Sequence, residues 1–259
     1  MNSFFTGLLF LTRIPIKYNA SWTEQACGSS VKYFAVIGAI LGIINSLGAF
    51  ILLTVFPHIF NINIPVLLGS FFLLTLNIIS TGAIHCDGYT DTMDGLLSGR
   101  KKERMLEIMK DSRVGAHGTT SLIMLLLGKY SAIAALYTYT ATDPFILCSA
   151  LFLMPVIGRL SMVIGITLFP YARKEGLGKA FSLYSNKNSL YIVLSSVIIC
   201  LIINYPYFWQ GLYSLILVSI FAFIFCRYVT GKLGGLTGDV YGATTEISEL
   251  FVLIIYAVF

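Results

Sequence analysis

Ile84-His85-Cys86-Asp87-Gly88-Tyr89-Thr90-Asp91-Thr92-Met93-Asp94-Gly95 follows directly on an apolar run over 64–84 that is long enough to cross a bilayer. It marks the chain as a membrane protein and places three carboxylates where a span ends. On a helix, Asp87, Asp91 and Asp94 fall within an arc of about 60°, so all three project from one face. Carboxylates crowded in this way repel one another unless a cation neutralises them. An all-oxygen ligand set beside a membrane surface suits Mg²⁺, with Mn²⁺ as the other candidate, shared with a phosphate-bearing substrate. An acidic helix end stabilised by the helix dipole accounts for one or two of these carboxylates, not for three on one face. His85 is either a hydrogen-bonding or proton-transferring member of such a site or an ordinary satisfied histidine.

The rest of the chain agrees with a membrane setting. Of 259 residues, 57% are hydrophobic and 11% charged, where a soluble domain carries about 25% charged residues. Apolar runs near 33–56, 64–84, 119–139, 145–168, 189–206 and 210–230, with a shorter one over 247–259, predict an all-α polytopic membrane protein of six to seven transmembrane helices. Short amphipathic interfacial helices complete that expectation. With no internal repeat and no low-complexity linker, residues 1–259 read as one integral-membrane domain. The apolar start, interrupted by Arg13, reads as an interfacial or re-entrant helix rather than a signal peptide. Gly38 and Gly42 form a small-xxx-small pair that serves either homo-oligomer contact or packing within the chain. Cys27, Cys86, Cys148, Cys200 and Cys226 lack metal-type spacing and read as small buried hydrophobes.

Charge then separates the loops. Lys and Arg cluster near 13–32, 100–113, 173–187 and 232, whereas the connections over 57–63, 140–144 and 207–209 contain none. This asymmetry predicts a cytoplasmic N-terminus and a C-terminus on the far side. The net charge of +5 follows these loops, so it does not argue for a nucleic-acid partner. Six of the twelve acids lie between Asp87 and Asp111, and Asp239, Glu246 and Glu249 flank the last span on the same side. The chemistry is therefore expected at the cytoplasmic face.

Three further segments are candidates for it. In Gly234-Gly235-Leu236-Thr237-Gly238-Asp239, close glycines let backbone N–H groups approach an anion, and Thr237 adds a hydroxyl. A helix break between two spans is the simpler reading of the same glycines. Asp239, Gly242, Ala243 and Glu246 share one helical face, which makes Asp239 a fourth carboxylate, as metal ligand or general base. Ser98 to Gly118 contains Met105, Leu106, Ile108 and Met109 as an apolar stripe among Arg100, Lys101, Lys102, Arg104 and Lys110, a basic amphipathic helix suited to anionic membrane lipid. Beside it, Asp111-Ser112-Arg113 suits a phosphate. Tyr171-Ala172-Arg173-Lys174-Glu175-Gly176-Leu177-Gly178-Lys179 reads equally as a positive-inside loop or as a phosphate-binding one. Lys129 and Arg159 lie inside predicted spans, where charge is costly and faces a polar interior or an acidic partner.

The block His85-Cys86-Asp87-Gly88 through Asp91 and Asp94-Gly95, together with Arg104-Met105-Leu106-Glu107-Ile108-Met109-Lys110-Asp111-Ser112-Arg113-Val114-Gly115, resembles the cobalamin synthase family of adenosylcobinamide-GDP ribazoletransferases. Phe10-Leu11-Thr12-Arg13-Ile14-Pro15, Tyr171-Ala172-Arg173 with Glu175-Gly176-Leu177-Gly178, and Gly234 through Asp239 extend the resemblance over most of the chain. Ala83, Cys86 and Tyr89 depart from its usual residues without removing a carboxylate. The resemblance implies a Mg²⁺-dependent enzyme of a bacterial or archaeal cytoplasmic (inner) membrane. Its implied reaction moves the cobinamide-phosphate unit of adenosylcobinamide-GDP to α-ribazole or its 5′-phosphate, with release of GMP. Asp87, Asp91, Asp94 and Asp239 are then the expected metal site, with His85 among the catalytic residues. Lys110, Asp111, Arg113, Arg173, Lys174, Glu175, Thr237, Gly238 and Glu246 are the expected substrate contacts. Two other readings of the aspartates stay open. One is a CDP-alcohol or prenyl-diphosphate transferase; the other is a divalent-cation transporter, whose acids belong near the bilayer midplane.

Overall fold

A computed structural model describes residues 2–140, 143 and 145–259, and the described residues form helices with no β-strand. The chain opens with α1 (Asn2–Leu11) and α2 (Glu24–Ser30), whose Thr23 N-cap accepts from the Ala26 N–H. A 3₁₀ turn leads into α3 (Phe34–Phe50), which runs through a π turn at Ile51–Val55 into α4 (Phe56–Phe60). There follow α5 (Val66–Thr81), α6 (Ile84–Leu97), α7 (Lys102–Ile108), α8 (Ala116–Tyr139) and α9 (Ile146–Leu168). The last four are α10 (Leu177–Leu183), α11 (Lys187–Ile203), α12 (Phe208–Leu233) and α13 (Gly238–Val258).

Five of these stretches are long and apolar enough to cross a membrane: Glu24–Phe60, Ala116–Tyr139, Ile146–Leu168, Tyr205–Leu233 and Gly238–Val258. The bent pair α5 and α6 makes a sixth, and α11 is a shorter apolar helix. The all-α polytopic expectation holds. Two boundaries moved. The last helix starts at Gly238, nine residues before the apolar run at 247, because its first turns face the protein interior rather than lipid. The second predicted span ends at Thr81, where Gly82 (φ 64°) and Ala83 (φ 58°) are both left-handed and turn the chain through 90° into α6. The Gly82 and Ala83 N–H groups donate to the Ile79 and Ile78 carbonyls, and Arg13 closes over the turn, its N–H donating to Ser80 O at 2.8 Å.

Helix α9 is the axis of the bundle, buried on all sides along most of its length, as a helix that is hydrophobic all round must be. Gly38 and Gly42 bring α3 onto it. A Cβ at Gly38 would lie 2.6 Å from Pro155 O, and one at Gly42 would collide with the Phe152 carbonyl. Of its two readings, this glycine pair takes the one of packing within the chain. All five cysteines are free thiols, four of them buried, as read from the sequence.

Four charges sit inside the helix packing. Lys129 of α8 donates to Glu246 Oε2 at 2.6 Å and Glu249 Oε2 at 2.7 Å, and Arg159 of α9 donates to Glu249 Oε1. The cluster is neutral in sum and ties α8 and α9 to α13. Its carboxylates balance the charge of the two cations that the sequence placed at membrane depth, although Arg159 Nε and Nη2 stay buried without a hydrogen-bond partner. Glu246, expected at the substrate, is instead 3% exposed and committed to Lys129.

Candidate active site

The site forms where α6 crosses α13, and glycines set how closely they cross. A Cβ at Gly88 would stand 2.8 Å from the Asp239 carbonyl oxygen, and one at Gly242 would stand 3.2 Å from the His85 backbone. This contact, available only to residues without a side chain, brings Asp87 and Asp91 of α6 beside Asp239 of α13. Asp91 feels the charges of Asp87 and Asp239 and, more weakly, that of Asp94, with Arg173 opposing them. The side-chain carboxylates of Asp87 and Asp91 have no hydrogen-bond or ion-pair partner among the described residues.

The loop after α9 supplies the counter-charge. Residues 170–172 pair with the glycine loop: the Ala172 N–H donates to Leu236 O and the Leu236 N–H to Pro170 O, each at 2.8 Å. That pairing carries Arg173 to Asp239, Nη2 to Oδ2 at 2.8 Å, and leaves Arg173 Nε buried without a partner. Thr237 is fully buried; its hydroxyl donates to Asp239 Oδ2 at 3.1 Å and accepts from the Val240 N–H. Its place in the anion loop is thus taken by N-capping α13 and orienting Asp239. Gly238, with Gly176 and Gly178, lines a cavity of about 210 Å³ that also opens onto Asp87, Asp239 and Arg173. Tyr171 lies on the same wall, and burial raises its phenol above the ordinary value, so it stays protonated.

Other expected members sit elsewhere. Asp94 is 7% exposed and turns away from Asp87: Oδ2 accepts from the Gly115 N–H at 2.7 Å and Oδ1 from the Gly118 N–H at 2.8 Å. It caps α8 at the positive end of its dipole. His85 is 3% exposed and lines the cavity from below. Asp111 and Arg113 form an exposed pair, Nη2 to Oδ2 at 2.6 Å, and the Arg113 hydrogen bonds hold the Asp111 carboxyl down to about 2. Lys110, Lys174 and Glu175 are exposed outside the cavity lining. The residues that sequence reasoning left unassigned are Tyr171, Gly176 and Gly178. Their signal was the tyrosine and paired glycines around Arg173, which read equally as an ordinary loop.

The described residues contain no group of three His, Cys, Asp or Glu side chains that could hold a metal ion by themselves. The donor set is one unpartnered carboxylate pair with Asp239 alongside. That suits Mg²⁺, which keeps several waters and uses one or two carboxylates plus substrate phosphates rather than an all-protein cage.

A helical membrane protein with its polar chemistry gathered at one end of the bundle is the class that fold and site define. Within that class, the chain belongs to the cobalamin-5-phosphate synthase family, whose sequence profile matches residues 3–257. A protein of Desulfitobacterium hafniense (strain Y51) is 40% identical over 98% of this chain and 96% of its own length. One of Clostridium acetobutylicum is 36% identical over 96% and 93%, and one of Syntrophobacter fumaroxidans is 36% identical over 96% of each. Each of these relatives is named adenosylcobinamide-GDP ribazoletransferase. The chain is accordingly a membrane transferase of cobalamin biosynthesis. No solved structure matches it.

Proposed function

We propose that the cavity between α6, α13 and the Arg173 loop transfers the cobinamide-phosphate unit of adenosylcobinamide-GDP to a hydroxyl of α-ribazole or α-ribazole 5′-phosphate. The hydroxyl oxygen bonds to the phosphorus that carries cobinamide, the bond from that phosphorus to the GMP oxygen breaks, and GMP leaves with the electron pair. The observation that carries this reading is Asp87, its carboxylate without a partner, lining one cavity with Arg173 and Asp239, with the equally unpartnered Asp91 one turn further along α6. Mg²⁺, or Mn²⁺, supplies neutralisation of the diphosphate when bound, with Asp87 and Asp91 as its protein ligands and Asp239 nearby. Arg173 exchanges its hold on Asp239 for a diphosphate oxygen, a charge-assisted bond suited to a planar guanidinium. Asp239, so released, accepts the proton of the incoming hydroxyl, with Thr237 fixing its orientation. Lys110, Arg113 and Lys174 stand outside the cavity lining and draw the anionic substrates towards it.

The loop charges support a cytoplasmic location for this end of the bundle, with the N-terminus inside and the C-terminus outside. The exposed basic residues around α7 support contact with anionic lipid. The gathering of the acids at one end, and the pairing of the charges at depth, favour transferase chemistry over cation transport. Purified protein in detergent, given both substrates with Mg²⁺, should yield GMP and corrinoid product by mass. Chelation should abolish turnover, as should Asp87→Asn. Wild-type turnover by Asp87→Asn would refute the site, and absence of product from folded wild-type protein would refute the substrates.

A further inference from the structure

The cavity has two chemistries. Its rim is charged, whereas its interior is aromatic. Phe181 of α10 packs against Phe10 of α1, ring centroids 4.7 Å apart, and against Phe34 of α3 at 5.8 Å. Tyr171 and Tyr241, with centroids 6.4 Å apart, belong to the same lining, and Met162 and Ile166 of α9 add aliphatic surface. His85 also lines it, and His85 Nε2 is buried with no hydrogen-bond partner. Diphosphate transfer at the rim makes no use of these rings. The volume, about 210 Å³, lies below the roughly 300–1,000 Å³ of pockets that enclose drug-sized ligands. A corrin macrocycle or a whole nucleoside diphosphate cannot enter, but one fused ring system can.

We propose that this interior is a slot for a flat, weakly polar fused-ring base, namely the base of the acceptor nucleoside. The ribose then lies at the rim beside Asp87 and Asp239, and the corrinoid remains outside. The proposal rests on the reaction given above and assigns its two substrates to different places. Rings of this kind are held by offset-stacked and edge-on contacts, which the Phe10, Phe34 and Phe181 wall supplies. A benzimidazole-type base has one ring nitrogen free after glycosylation, and His85 Nε2 has one position free to meet it. Guanine, the other base in the reaction, would bring several donors and acceptors into a largely apolar lining, where unpaired polar groups are costly.

Steady-state inhibition of the wild-type protein tests this without any variant. Free benzimidazole should compete with α-ribazole 5′-phosphate and not with adenosylcobinamide-GDP. Phe181→Leu should raise KM for the nucleoside about tenfold, the loss of one ring contact, and leave KM for the corrinoid substrate unchanged. Phe34→Leu repeats the test from a spanning helix if α10 does not tolerate the change. Competition with the corrinoid substrate, or with neither, overturns the slot. If the protein folds but does not turn over, the reaction is refuted and calorimetry decides the slot separately. Binding of α-ribazole that Phe181→Leu weakens about tenfold supports it; no binding, or equal binding, overturns it.

Discussion

Asp87 and Asp91 differ from the other two aspartates of the site in having nothing to hold. Asp239 is occupied by Arg173 and Thr237, and Asp94 by the first amides of α8. The four carboxylates should therefore respond differently to neutralisation. Asp91→Asn, which removes one of the two carboxylates proposed to hold the cation that neutralises the diphosphate, should lower kcat by about a hundredfold or more without changing thermal unfolding. Asp94→Asn, which sets an amide donor against one of the two α8 N–H groups, should instead lower the melting temperature through loss of about 1 kcal/mol of hydrogen bonding, and keep a measurable fraction of kcat. A second contrast comes from the buried cluster. Glu249→Ala leaves Arg159 buried without a carboxylate, while Lys129 keeps Glu246, and should destabilise the protein by about 3–5 kcal/mol, read as loss of folded protein in detergent. The shared face of Asp87 and Asp91 was legible because a four-residue spacing fixes it within one helix. The role of Asp94 was not, because its partner amides arrive from 21 and 24 residues further along the chain. Glu246 was misread for the same reason: an acid beside small residues looks alike whether it meets a substrate or a lysine on another helix.

At the scale of elements, the site depends on one bend and one crossing. Spans of roughly 20 apolar residues announce themselves, so the long helices were visible in the sequence. The 90° turn at Gly82 and Ala83 was not, since alanine rarely adopts a left-handed conformation and nothing in hydropathy reports backbone handedness. Relief of that strain should make Ala83→Gly more stable by about 1 kcal/mol, seen as a higher melting temperature with unchanged KM. The crossing was legible in outline, because small residues between Asp239 and Glu246 suggest close approach. Its partner glycine on α6 was not assigned. Gly88→Val would push its side chain into the Asp239 backbone, separating the carboxylates, and should lower kcat by about a hundredfold while the protein remains folded. Retention of wild-type kcat in that variant would show that the spacing of α6 and α13 does not matter to the chemistry.

For the whole molecule, polarity is distributed in two tiers. One tier faces the cavity; the other lies within the helix packing as Lys129, Glu246, Glu249 and Arg159. The second tier has a consequence for how the chain is made. Helices leave the ribosome in sequence order, so α8 and α9 reach the insertion machinery carrying Lys129 and Arg159 before α13 exists. At the centre of a spanning helix, such a residue opposes partitioning into lipid by roughly 2.5–3.5 kcal/mol. Both compensating acids are on α13, so the earlier helices must be sheltered by the translocon, by a membrane chaperone or by one another until α13 emerges. Helix α13 is then what commits the nascent bundle. A ribosome stalled after Leu233 would leave an intermediate with two orphan cations in the membrane, a ready mark for quality-control proteolysis, whereas arrival of α13 would erase that mark in a single docking event.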